Sequence, residues 1–278
     1  MISNIVVVSD THFGCQYALC PPRVTLDGEG EYRPSPLQKK LWLLWRHFWD
    51  EFVPEATKGE DYILVHNGDI VDGFHHQAST LISINLADQH RIAMDVMTPL
   101  LKDPKMKGYY QIRGTEAHVG KSAQNEEKIA KELGAIGSGG LASRYDLWVE
   151  IGDGGTTKLI HFLHHVGSTG SQAYEATAVH KELVETYTEC ARWGQGIPDM
   201  IVRSHRHRYI KTEIATEGGM GSAVVTPCWQ GKTPFVWKIP GARVSVPQFG
   251  GLVVRVAHGE LFTRAMVRVP QRSPVVRP

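Results

Sequence analysis

Short continuous apolar runs recur along the chain at Ile5–Val8, Tyr62–Val65, Tyr109–Ile112, Leu159–Leu163 and Met200–Val202. Runs of this kind, apolar at successive positions instead of alternating, predict strands buried on both faces. Between them lie stretches of helical periodicity. Leu37–Val53 places Leu41, Leu44, Trp45, Phe48 and Phe52 at i, i+3, i+4 spacing, with Lys39, Lys40, Arg46 and Asp50 interspersed. Its Trp42, Trp45 and Trp49 are expected to pack in the core. Leu81–Leu101, Asn125–Leu133 and Ala173–Ala191 are likewise predicted helices. After about residue 209 the pattern shifts to Tyr209–Ala215, Ala223–Cys228, Leu252–Ala257 and Glu260–Val267, with Gly218-Gly219 and Gly250-Gly251 between them, which predicts antiparallel strands. Strands alternating with helices and then a strand-rich end predict an α/β fold with mixed sheets. The chain carries no internal repeat and no Ser- or Gly-rich interior linker. One domain over residues 1–268 is therefore expected, followed by a Pro- and Arg-containing tail over 269–278.

Every one of these apolar runs gives way to acidic or imidazole side chains. Ile5–Val8 leads into Asp10-Thr11-His12, and Tyr62–Val65 into His66-Asn67-Gly68-Asp69-Ile70-Val71-Asp72. Tyr109–Ile112 leads into Arg113-Gly114-Thr115-Glu116-Ala117-His118, Leu159–Leu163 into His164-His165, and Met200–Val202 into Arg203-Ser204-His205-Arg206-His207. The carboxyl ends of strands in open α/β sheets are where sites assemble, so these groups are expected to converge. Of the 14 histidines, nine (His12, His66, His75, His76, His118, His164, His165, His205 and His207) lie in or beside these loops. Asp and His without Cys form a ligand field suited to Mn, Fe, Zn, Ni or Co. Six or seven such groups exceed the needs of one tetrahedral ion and suit two ions sharing a carboxylate.

Composition excludes other classes. Lys and Arg number 30 against 29 Asp and Glu, a net charge of +1, which argues against a broad basic surface. Cys15, Cys20, Cys190 and Cys228 form no CxxC pair and are expected to be reduced thiols. The N-terminus has no basic region of a signal peptide, and no apolar stretch reaches membrane-spanning length. A cytoplasmic protein without membrane association is therefore expected. No GxGxxG or Walker pattern follows any strand.

The ordered set resembles the calcineurin-like metallophosphoesterases, whose motifs run Asp-x-His, Gly-Asp-x-x-Asp, Gly-Asn-His-(Asp/Glu), a lone His, and Gly-His-x-His. Here they read Asp10-Thr11-His12, Gly68-Asp69-Ile70-Val71-Asp72, Gly114-Thr115-Glu116-Ala117-His118, His164, and Ser204-His205-Arg206-His207. The resemblance covers residues 5 to 207 and implies a four-layer α/β/β/α sandwich of two mixed sheets, the strand-rich end filling the place of the second sheet. It implies two divalent metal ions, foremost Mn: Asp10, His12 and His207 on the first, His164 and His205 on the second, and Asp69 bridging. His165 is the fallback for His164. The third motif departs, because Thr115 stands at the family's Asn ligand and Glu116 at its catalytic His. With extra residues in that loop, Glu116 supplies the oxygen ligand and His118 the acid. Asp72 is expected to orient its neighbours.

The implied activity is hydrolysis of a phosphate mono- or diester by a hydroxide bridging the ions, with His118 protonating the leaving oxygen. Arg113 and Arg206 are expected to bind substrate, as Arg203 and Arg208 could, with His75 and His76 lining the cleft. A nuclease acting on DNA or RNA is the alternative, with a local basic patch at Arg203–Arg208 in its favour. A non-catalytic scaffold of the same fold, making protein contacts, is the alternative from another class. Oligomeric state, substrate identity and mono- or diester preference are left open.

Overall fold

The computed structural model describes residues 1–75, 78–167, 171–239 and 242–277. In chain order the strands are β1 (Asn4–Val8), β2 (Val24–Thr25), β3 (Glu31–Tyr32), β4 (Tyr62–Asn67), β5 (Met106–Ile112), β6 (Ser143–Arg144) and β7 (Asp146–Gly152). They continue with β8 (Thr157–Leu163), β9 (Met200–Arg203), β10 (Ile210–Thr216), β11 (Gly219–Val225), β12 (Phe249–Ala257) and β13 (Glu260–Arg268). The helices are α1 (Pro36–His47), α2 (Val53–Thr57), α3 (Leu86–Met97), α4 (Glu116–Val119), α5 (Gln124–Glu132) and α6 (Glu175–Arg192).

All five apolar runs are strands. They are buried on both faces because side chains alternate across a strand and each face meets a different layer. On β1, Ile5 and Val7 pack between two sheets, whereas Val6 and Val8 face helices. One sheet has six strands in the order β13-β12-β1-β4-β5-β6, and the other five in the order β10-β11-β9-β8-β7. Both are mixed. In the first, β1, β4, β5 and β6 are parallel, and β12 and β13 complete one side antiparallel. In the second, β8, β9 and β11 are parallel between antiparallel edges β7 and β10. Val65, Ile5, Leu252 and Val254 of the first sheet meet Leu147, Ile160, Phe162, Val202 and Val224 of the second. The other face of the first sheet takes Leu41 and Trp45 of α1, Ile92 and Val96 of α3 and Ile129 of α5. The other face of the second, through Ile201, Ala223 and Val225, takes Val179 and Leu183 of α6.

The strand-rich end is not a sheet of its own. β10 and β11 join β9, while β12 crosses over and lies beside β1, pairing Val6 with Val253. β12 suits that interior place because Val253 faces the helices while Leu252, Val254 and Val256 face the other sheet.

The first helical segment runs without a break from Pro36 to Thr57, its middle wound as a π-helical turn. Ser35 and Gln38 form a reciprocal capping box with Pro36 at the first turn, and α1 passes through a π-helical turn at Phe48–Phe52 into α2. Trp45 is buried against Trp229, ring centroids 4.8 Å apart, and Trp42 and Trp49 pack on the same cluster. The expected helix over 81–101 shortens to α3: Asn85 accepts the Ala87 N–H as an N-cap, Leu81 bridges to Cys15, and Thr98-Pro99 ends the helix. All four cysteines are free and buried. Among the described residues, no helix is long and apolar enough to cross a membrane.

Phe162 fills the space between the sheets and is fully buried. Phe162→Ala is expected to cost about 3–5 kcal/mol. The readout is the urea midpoint at constant m-value; a loss below about 1 kcal/mol would mean that the sheets repack around the gap.

Candidate metal centre

Three of the parallel strands, β1, β4 and β9, hand the chain to the site through bends that L-residues rarely adopt. Asp10, His12, Asp69, His205 and His207 have φ of 51°, 43°, 53°, 70° and 55°. They are five of the nine described non-glycine residues with positive φ. Each costs roughly 1–3 kcal/mol, and such strain persists only where surrounding bonds over-determine it. Those bonds are present. Asp10 N–H donates to Gly68 O, His12 N–H to Asp69 O, Ser204 N–H to His164 O, Trp229 N–H to Asp10 O and Gln248 N–H to His207 O, all at 2.8–3.1 Å. Two glycines leave room: a Cβ on Gly68 would lie 2.3 Å from His164 Nδ1, and one on Gly114 2.0 Å from Asp69 Oδ1.

The bends aim the side chains at one point. Asp10 Oδ1 lies 3.2 Å from His207 Nε2, and His207 Nε2 lies 3.3 Å from His12 Nε2. Asp69 Oδ2 lies 3.0 Å from His164 Nε2 and 4.0 Å from His12 Nε2. Ligand atoms within 4.8 Å of one another gather as Asp10–His12–His207, His12–Asp69–His118, Asp69–His164–His205 and Asp72–His75–His118. Asp69 is thus shared between a group containing His12 and one containing His164 and His205.

The outward nitrogens of the imidazoles fix their tautomers. His164 Nδ1 lies 2.7 Å from Asn67 O, which can only accept, so Nδ1 carries the proton and Nε2 faces Asp69. His12 Nδ1 donates to Asp72 Oδ1 at 3.1 Å, again presenting Nε2 inward. Asp72 is itself held by Gln230 Nε2 at 3.0 Å, and its main-chain carbonyl accepts from His118 Nδ1 at 2.7 Å. Carboxylate or carbonyl partners on the far nitrogen are the usual way a protein orients imidazole ligands.

Beneath the centre runs a buried hydrogen-bond chain with one sense of donation. Asn67 Nδ2 donates to Ser204 Oγ, Ser204 Oγ lies 2.7 Å from Thr226 Oγ1, and that lies 2.7 Å from Ser9 Oγ. Ser9 Oγ donates to Asp10 Oδ2 at 2.6 Å. Since the carboxylate can only accept, Ser9 spends its proton on Asp10, so Thr226 donates to Ser9 and Ser204 to Thr226, a polarised arrangement that strengthens every link. Asn67 and Ser204 were visible as neighbours of the motifs, but nothing in their spacing signalled a network joining the two sheets. Glu126 of α5 is a second unsignalled support. Its Oε1 accepts from Ile70 N–H at 3.1 Å and its Oε2 from Gly114 N–H at 2.6 Å, bracing the segments next to Asp69 and Thr115.

The electrostatics are those of buried carboxylates compensated by imidazoles. Burial opposes ionising Asp10 and Asp69, yet His207 and His164 beside Asp10, and His164 beside Asp69, hold both below the usual carboxylate range. Burial likewise opposes charging His164, but Asp69 pushes it up to about 9. His118 and His205 go the other way, down to about 4, through burial and then the neighbouring His12 and His164 respectively.

Several expected residues stand elsewhere. Glu116 is exposed at the start of α4 and belongs to none of the ligand groups among the described residues. Thr115 turns inward instead, donating its N–H to Asp69 Oδ1 at 2.7 Å, with its hydroxyl 2.8 Å from Oδ1 and 2.6 Å from Oδ2. A helix N-terminus at Thr115 points the Glu116 side chain outward, so an extra residue in the loop does not restore an oxygen ligand here. Arg113 does not line the cleft. Its guanidinium donates to Ser143 Oγ at 2.9 Å and lies 4.7 Å from the centre of the Tyr145 ring. Arg203 is buried against Glu182. His164 lies within a ligand group, whereas His165 is exposed, its ring 5.1 Å from that of His164. His66 is buried in β4, pushed down to about 3 by burial, and bonds Thr11 Oγ1. Arg206 and His75 line a cleft of about 600 Å³ over the centre, together with His118. His76 lies outside the described residues.

No protein-family model and no curated protein matches the chain. Among solved structures, the chain is similar to the Thermotoga maritima protein TM1076, with a TM-score of 0.34 and 10% identity over 96% of this chain and 100% of that one. It is also similar to vacuolar protein sorting 29 from Cryptosporidium parvum, with a TM-score of 0.34 and 12% identity over 96% of this chain and 98% of that one. Both are distant likenesses of chain path.

Burial and the charge of Asp69 push Glu126 up to about 8, so the folded chain keeps a proton there that the unfolded chain releases in the ordinary glutamate range. This contribution to stability is full at acid pH and is lost as pH rises through about 8. With metals chelated, the stability of the wild type relative to Glu126→Gln is expected to fall between about pH 5 and 8. Thermal unfolding at several pH values checks this, and parallel curves would refute the protonated carboxyl.

Proposed function

We propose that the protein hydrolyses phosphoric esters with two divalent cations held in this centre, the activity that its resemblance to the calcineurin-like metallophosphoesterases implies. The observation that carries the reading is the placement of Asp69. Its carboxylate lies between the Asp10–His12–His207 group and His164 with His205. The donor set fits such ions. Asp10 Oδ1 is fully buried without a hydrogen bond, although 3.2 Å from His207 Nε2. Nε2 atoms 3.3 Å apart have the spacing of two donors on one ion, since ligands about 2.0–2.1 Å from a tetrahedral centre stand about 3.4 Å from each other.

Asp10, His12 and His207 would hold one cation, His164 and His205 the other, and Asp69 both. Bound there, divalent cations of the Mn, Fe, Zn, Ni or Co kind supply a water acidified for attack and a clamp on the phosphoryl oxygens. Because Thr115 bonds Asp69 and Glu116 faces solvent, the second group has fewer protein donors than the first, which supports a weaker second site.

Asp72 acts twice. Its carboxylate orients His12 and its carbonyl orients His118, which ties a cation ligand and the proposed acid to one residue. With Nδ1 bonded, His118 has Nε2 for the substrate. Burial and His12 keep the ring neutral as it stands. The negative charge of an arriving phosphate favours the protonated form of His118, the form that a general acid needs. Arg206, which donates to Gly167 O, and His75 line the same cleft and supply donors to an anionic substrate.

An aryl phosphate diester and a monoester assayed with added Mn²⁺ are expected to be hydrolysed, the rate falling to background in EDTA. Asp69→Asn should lower kcat/KM by more than about 100-fold, and indifference to both treatments would sink the two-cation reading. His118→Ala is expected to cost about 10²–10⁴ in kcat with an alkyl leaving group and much less with p-nitrophenol. Equal losses on the two would remove His118 from the acid role.

A further inference from the structure

One wall of the cleft is made by the segment between β11 and β12, and its chemistry differs from that of the floor. Lys232, Phe235 and Lys238 line the cleft, as do Arg206 and Arg208. The only carboxylates among the described lining residues are Asp69 and Asp72, both on the floor. Two rings on this segment stand in solvent, Phe235 at 52% and Trp237 at 61% exposure. The Lys232 ammonium lies 3.6 Å from the centre of the Trp237 ring and donates to the carbonyls of Arg243 and Ser245. A fixed cation over an indole that remains largely exposed, beside a second exposed ring and a second lysine, puts positive charge and stacking surface on one rim. Exposed tryptophan and phenylalanine of this size are otherwise a liability in water.

Resting on the phosphoester-hydrolase reading above, we propose that this rim is a track for single-stranded nucleic acid. Bases stack on Phe235 and on the face of Trp237 that Lys232 leaves open, while Lys238 and Arg206 follow the backbone and lead a diester into the cleft. Polynucleotide fits better than a small ester because Trp237 lies outside the cleft lining, so a ligand whose ester enters the cleft reaches that ring only by extending past the rim. Recognition by stacking is sequence-tolerant, since every base has a π face. The near-zero net charge is no obstacle, because Lys238 and Arg206 stand on the lining of this cleft, whereas Arg208 is paired with Glu175.

The test separates binding from hydrolysis. In EDTA, a fluorescein-labelled oligothymidylate of about twelve nucleotides is expected to bind by anisotropy and to weaken with added KCl. Phe235→Ala with Trp237→Ala should weaken binding at least about tenfold, and Lys238→Ala should flatten the salt dependence. With Mn²⁺ added, the double variant should lower the ratio of kcat/KM for the oligonucleotide to that for an aryl diester by a similar factor. Oligonucleotide binding unchanged in the double variant would overturn the track. So would absent binding alongside intact aryl diester hydrolysis, or a dimer in gel filtration that the double variant dissolves while oligonucleotide affinity stays constant. Failure of aryl diester hydrolysis with oligonucleotide binding retained would instead overturn the hydrolase reading and leave the track standing.

Discussion

Two carboxylates, Asp10 and Asp69, are almost wholly buried. An isolated ionised carboxylate in such a place is prohibitively costly, so everything around the pair is arranged to compensate it. Imidazoles from the loops of both sheets face the oxygens, and a hydroxyl chain and backbone N–H groups occupy most of the remaining lone pairs. Removing one partner exposes the cost borne by the rest. The carboxylates carried by the six-stranded sheet therefore make sense only with the imidazoles carried by the five-stranded sheet, and the reverse.

The same constraint explains the backbone. A loop that merely turned would place its side chains outward toward water. Left-handed bends at Asp10, His12, Asp69, His205 and His207 turn them inward, and the missing side chains of Gly68 and Gly114 let the loops approach His164 and Asp69. Strain of this kind concentrates where geometry serves chemistry rather than stability.

Much of this was legible in the chain itself. Runs apolar at every position announced doubly buried strands, and the Asp and His residues at their ends announced their meeting place. The features that escaped were set by partners distant in sequence. β7 alternates polar and apolar residues as an edge strand with one buried face, a weaker signal than the central runs. The strand-rich end divides between sheets because β12 has apolar residues for two cores, which is visible only once both cores exist. Arg113 and Arg203 are chemically suited to phosphate, but Glu127 and Glu182 reach them first from α5 and α6. The third motif is legible as a departure from the family pattern, yet the inward turn of Thr115 depends on a short helix, α4, that the sequence did not announce.

The crossing of β12 to the side of β1 bears on how the molecule comes into being. Asp10 hangs from a strand that leaves the ribosome long before its neighbour in the sheet, Val6 waiting for Val253. Trp229, whose N–H holds the Asp10 carbonyl, also arrives late. Contacts so far apart in sequence slow folding, because the entropy of closing so large a loop is spent before any packing compensates it. The centre therefore matures only once β12 has been made, and a ribosome-bound or truncated product lacking β12 and β13 holds its first aspartate without the wall that positions it.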